Sequence, residues 1–200
     1  MTSLRSMTIC SILTLFFAEG CAANEPPKLA ESVEIAAETE EESDNYIIDS
    51  QAGSVAGIAV GMTEAQIRES GWPYETRTKN LEGDEYKIYD ISLADGVVLS
   101  CTLDFENTVY SIESSSAGVR DEYGLGVDSS LRELKEFYAG GRFIKGNEEG
   151  RYANFLTGTR LIFRFDHEEL DDSCFDYRQE CAVDDSIAVR SISIGLYTPN

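Results

Sequence analysis

Ile58-Ala59-Val60-Gly61-Met62-Thr63-Glu64-Ala65-Gln66-Ile67 aligns without gaps on Leu125-Gly126-Val127-Asp128-Ser129-Ser130-Leu131-Arg132-Glu133-Leu134. Both stretches place an apolar-x-apolar pair just before a helix start. Thr63 with Gln66, and Ser130 with Glu133, fit the capping box, in which the hydroxyl accepts from the third residue's N–H and that residue's side chain reaches back. Gly71 and Pro73 end the first helix, and Gly140-Gly141 end the second. The match reads as an internal repeat.

Strands follow each helix. In the first copy Tyr89, Ile91 and Leu93 alternate with polar residues, and Asp95-Gly96 makes a hairpin turn. Leu99, Cys101, Leu103 and Phe105 share the next inward face, and Tyr110 and Ile112 continue the pattern. In the second copy Gly158 marks a turn, Leu161, Phe163 and Phe165 face inward, and Ile192 and Ile194 close the unit. Alternation of period two means one buried and one wet sheet face. The expected fold class is α+β: two tandem helix-plus-antiparallel-sheet repeats, residues 53–116 and 117–200, packed as one compact unit. Halves this small bury too little surface to stand alone.

The segment before the repeats reads as an address. Arg5 supplies a positive start and residues 9–17 an apolar run too short to span a bilayer. Ala18-Glu19-Gly20-Cys21 follows and resembles the lipobox of bacterial lipoproteins. That resemblance implies a signal peptide over 1–20, cleavage before Cys21 and acylation (palmitate included) of Cys21. Ala22 after the Cys implies the outer membrane by the family's sorting rule, with the lipid-anchored chain facing the periplasm. Glu19 and Ala18 depart from the usual small residue and Leu. Residues 21–52 then read as an acidic tether, with Glu25, Glu31, Glu34, Glu38, Glu40, Glu41, Glu42 and Asp44 against Lys28.

The phrase Gly57-Ile58-Ala59-Val60-Gly61-Met62-Thr63-Glu64-Ala65-Gln66-Ile67, followed by Trp72-Pro73 and three strands, resembles the small outer-membrane lipoproteins of the SmpA/OmlA class. Its tandem arrangement over 57–113 and 124–195 is similar to the β-lactamase-inhibitor-protein fold, which grips an enzyme with a sheet surface. The resemblance implies an envelope setting and a fold. It transfers no activity and no contact residue.

Composition narrows the function. Lys plus Arg number 16 against 37 Asp plus Glu, a formal net charge of −21. Nucleic-acid binding is excluded for want of a basic face, and so is polybasic attachment to anionic lipid. No zinc-protease, nucleophile-elbow, phosphate-loop or CxxC motif occurs. His167, the one histidine, lies in Asp166-His167-Glu168-Glu169 and reads as an exposed loop residue, not a catalytic base. No cofactor or metal is expected.

Cys174 and Cys181 flank a short polar loop, and an oxidising compartment favours a disulfide between them. Cys101 reads as a buried free thiol. The acid-rich loop 166–185 leaves open a calcium site or a carboxylate hydrolase. The expected function is a non-enzymatic protein-binding module for an envelope partner. Its expected contact residues are Tyr86 and Ile88 in the first copy and Arg160, Ile162 and Arg164 in the second, all on the sheet face opposite the core. Pairing of the two arginines with Asp166 and Glu168 is the structural alternative.

Overall fold

The computed structural model describes residues 46–81, 83–147, 150–176 and 181–195. The expected signal peptide, Cys21 and the tether up to residue 45 lie outside the described residues. In chain order the elements are β1 (Tyr46–Asp49), β2 (Ser54–Val55), β3 (Ile58–Ala59), α1 (Glu64–Glu69), β4 (Tyr74–Leu81), β5 (Asp84–Ser92), β6 (Val98–Leu103) and β7 (Val109–Ser114). Then come β8 (Val119–Arg120), α2 (Leu131–Phe137), β9 (Arg142–Gly146), β10 (Tyr152–Leu156), β11 (Leu161–Phe165) and β12 (Val189–Gly195).

The fold is β-rich, which corrects the α+β expectation of helix-plus-sheet repeats. The helices have six and seven residues, about two turns each. Elements this short cannot form a layer of their own; they plug one face of a sheet. Both capping boxes are formed: the Gln66 N–H donates to Thr63 Oγ1 and the Thr63 N–H to Gln66 Oε1. Ser130 and Glu133 repeat the exchange.

Two sheets pack around one core. The larger has eight strands in the order β4-β5-β6-β7-β12-β11-β10-β9, and every neighbouring pair is antiparallel. Its order mirrors about the β7–β12 seam, where Ile112 faces Ile194. The smaller runs β3-β2-β1-β8, with β1 and β8 parallel. Both halves expected at 53–116 and 117–200 therefore feed a single sheet and lie within one unit.

Strand β1 lies inside the stretch read as tether up to residue 52. Its Ile48 is buried beside Val55 and Ile58, so residues 46–52 belong to the fold and not to the expected tether. The core gathers Tyr89, Ile91, Leu99, Cys101, Ile112, Phe155, Leu161, Phe163, Ile192 and Ile194 beneath Ile67 of α1 and Leu131 and Leu134 of α2. Asp95 and Gly96 take positive φ of 57° and 74°, as an Asp-Gly hairpin turn requires.

Two residues read as inward are not. A register shift at Thr102/Leu103 inserts an extra residue opposite β6, and Tyr110 turns to the far face. Phe105, past the end of β6, is 71% exposed. Bulges re-aim side chains in this way.

Candidate functional site

One face of the eight-stranded sheet carries the core; no element among the described residues covers the other, although Ile88, Ser191 and Ser193 on it are buried. Pairing across the strands places Asp90 beside Ser100, Ser100 beside Glu113, Glu113 beside Ser193 and Ser193 beside Ile162. A polar row therefore crosses the middle of the open face. Arg77 donates to Asp90 through Nε at 2.6 Å and Nη2 at 3.3 Å, and Ser100 Oγ donates to Asp90 Oδ1 at 2.6 Å. Burial pushes the Asp90 pKa up, but Arg77 and Ser100 outweigh it and leave it below the usual carboxylate range. Across the seam Ser191 Oγ donates to Glu113 Oε1 at 3.0 Å. Arg164 lies 4.0 Å from Glu113 and donates to Ser193 at 3.4 Å.

Arg77, Val98, Ser100, Glu113 and Ser114–Ser116 line a shallow open cavity of about 360 Å³ at one end of this row. Further along, Tyr86, Phe105 and Tyr110 form an aromatic patch, with ring centroids 5.3 Å and 6.0 Å from Tyr86.

The expected contact residues divide. Ile162 and Arg164 lie on the open face, half-buried and exposed respectively, and Tyr86 joins the aromatic patch. Ile88 shares that face but is only 3% exposed, so it offers a partner little surface. Arg160 does not belong with them. It precedes β11, and its side chain lies beside Gly53. A Cβ added at Gly53 would meet its Cδ at 2.9 Å and the core residue Ile194 at 3.5 Å. Arg164 contacts Glu113 and Ser193, so the expected pairing with Asp166 and Glu168 is not what holds it. An exposed pair like Arg164–Glu113 stabilises by under about 1 kcal/mol. The sequence reading missed Arg77, Asp90, Glu113 and Phe105. The register of β5 to β7 contained Asp90 and Glu113; Arg77 on β4 and Phe105 past β6 lie outside it.

Groups with strongly shifted pKa serve the scaffold. Lys87, Tyr89 and Arg68 donate to Glu64 Oε1 at 2.7, 2.6 and 2.7 Å, and bring its pKa to about 2. Asp121 is buried. Burial raises its pKa against the donors Tyr138, Leu125 and Tyr123. Burial pushes the Cys101 thiol up to about 12, which leaves it without nucleophilic thiolate. His167 stacks edge-on against Phe175 at 6.4 Å.

Cys174 and Cys181 form a disulfide with Cα atoms 4.8 Å apart. The acids around it hold the backbone: Asp166, Asp171 and Asp184 accept from Glu168, Ser173 and Ser186 N–H. Asp172 pairs with Arg151 at 2.6 Å and Asp185 with Lys135. Among the described residues no three acidic, His or Cys side chains gather to hold a metal, and no helix is long and apolar enough to cross a membrane.

No protein-family model matches the chain, and no curated protein does. Among solved structures it is similar to the uncharacterized protein yfeY from Escherichia coli, at 12% identity and a TM-score of 0.45, over 76% of this chain and 99% of that one.

Proposed function

We infer that the chain is a lipoprotein of the bacterial envelope that binds another envelope protein through the open face of its sheet, without catalysis. The address at residues 1–21 supports acylation of Cys21 and attachment to the outer membrane on the periplasmic side. The reading rests on the open sheet face, which no element among the described residues covers. Arg164, Ile162, Glu113 and the Tyr86–Phe105–Tyr110 patch stand on a rigid sheet whose other side is core. Aromatic residues and Arg dominate interface energetics when desolvated, and a sheet holds such groups in fixed register. The shifted acids and the free thiol are committed to packing.

The test uses the full chain as bait in detergent-solubilised envelopes. Ile162→Asp with Arg164→Glu removes the apolar and basic contacts of the second half. A partner recovered with the unaltered chain and lost with the folded double variant supports the reading. Equal recovery by a double variant of unchanged melting temperature contradicts it.

A further inference from the structure

The eight-stranded sheet has two edges, and they differ. On the β9 edge, the Lys145 ammonium donates to the Cys174 carbonyl at 2.5 Å and Asn147 to that of Phe175 at 3.2 Å, so the segment at Cys174 and Phe175 lies against the strand. On the β4 edge, Glu75, Thr76, Arg77, Thr78, Lys79 and Asn80 are all exposed. Strand β4 pairs with β5 from Tyr74 to Leu81 without a register shift and contains no proline. Proteins usually protect an edge of this length with a bulge, a proline, a covering segment or charged side chains; of these β4 has only the charges of Glu75, Arg77 and Lys79, and those charges select its pairing register.

The direction of its backbone groups follows from one hydrogen bond. The Ser92 N–H donates to the Pro73 carbonyl at 2.9 Å, one step beyond the Tyr74–Ile91 pair. Hydrogen-bonded pairs recur at every second residue of an antiparallel ladder. Glu75, Arg77 and Lys79 therefore turn their backbone groups toward β5. Tyr74, Thr76, Thr78 and Asn80 turn theirs outward.

We propose that two copies of this chain join edge to edge through β4, antiparallel about a two-fold axis at Arg77. In that register Tyr74 lies opposite the partner's Asn80 and Thr76 opposite the partner's Thr78, so outward backbone groups meet outward backbone groups. Glu75 then faces the partner's Lys79 in a non-hydrogen-bonded pair, where side chains approach closest. The two Arg77 side chains meet at the axis, each already held by its own Asp90 at 2.6 Å. A register centred on Thr78 would set Arg77 against the partner's Lys79, with like charges opposed twice. A register centred on Thr76 pairs Glu75 with the partner's Arg77 but shortens the ladder and brings in Pro73. Charge complementarity and ladder length select the same alignment. The uncovered faces of the two sheets become one surface across the axis.

Single cysteines in the full-length chain test the register. Two Cys at position 77 would have Cα atoms about 4.5 Å apart, within disulfide range. Position 75 or 79 would sit roughly 13 Å from its own copy. Arg77→Cys is expected to give a covalent dimer on non-reducing gels, with Glu75→Cys and Lys79→Cys resembling the parent chain. A monomeric Arg77→Cys, or equal cross-linking at all three positions, overturns the proposal. Sedimentation supplies the second measurement, free of the cysteine changes. Lys79→Glu should weaken association about ten-fold or more, and adding Glu75→Lys should restore it. A Lys79→Glu chain that sediments like the parent overturns it as well.

Discussion

The Tyr138 hydroxyl donates to Asp121 Oδ2 at 2.6 Å, inside the protein and 17 residues away in sequence. Asp121 Oδ1 meanwhile accepts from the Tyr123 and Leu125 N–H groups. One buried carboxylate thus ties the turn after β8 to the end of α2.

Removing that donor leaves a buried acceptor short of a partner. Tyr138→Phe should lower the unfolding free energy by about 1–3 kcal/mol, measured by urea denaturation at pH 7. Because burial holds the Asp121 pKa above its ordinary value, its ionisation weakens the fold as pH rises between the unfolded and folded values. Tyr138→Phe should widen that window toward higher pH.

Glu64 has the opposite sign. Its pKa falls to about 2 because Lys87, Tyr89 and Arg68 all donate to it. Its stabilisation is present above the ordinary value of 4.5 and is lost as pH falls from there toward 2. Partial exposure of its side chain screens the effect. Glu64→Gln should cost about 1–2 kcal/mol at pH 7 and almost nothing near pH 2. Denaturation curves at the two pH values check it; an equal cost at both would assign the loss to packing.

The helix starts were legible because a capping box is a local signal: Thr63 with Gln66 and Ser130 with Glu133 need no tertiary context. The inward faces at Tyr89, Ile91, Leu99, Cys101, Leu161 and Phe163 were legible by alternation. Edge strand β4 was not. Tyr-Glu-Thr-Arg-Thr-Lys-Asn-Leu has no apolar period, since from Glu75 to Asn80 every residue is exposed and only Tyr74 packs against the core. Strand β1 was hidden by the acids before it, although Ile48 belongs to the core. The open face was legible at Ile162 and Arg164. It failed at Arg160, beyond the strand's end, and at Tyr110 and Phe105, beyond a bulge. The fold class failed because two capped helices look like a layer in sequence and amount to two turns each in space.

The disulfide closes a separation of seven residues. Cys174→Ser with Cys181→Ser should lower stability by roughly 2–3 kcal/mol. Peptide mapping without reductant should recover Cys174 joined to Cys181, and Cys101 should resist thiol reagents until the chain unfolds. Labelling of Cys101 in the native state would place it at the surface instead of in the core.

Anchoring has its own test. Cys21→Ser should abolish incorporation of labelled palmitate and move the protein to the soluble fraction. Continued labelling and membrane association would show that the acylation site lies elsewhere.

Site-specific photo-crosslinking in intact cells tests partner binding by the open face. A photoreactive residue replaces Arg164 on the open face or Glu136 on the exposed side of α2. Binding through the open face should give a discrete crosslinked envelope protein from position 164 and none from position 136. Adducts from 136 alone, or the same adducts from both positions, would contradict it.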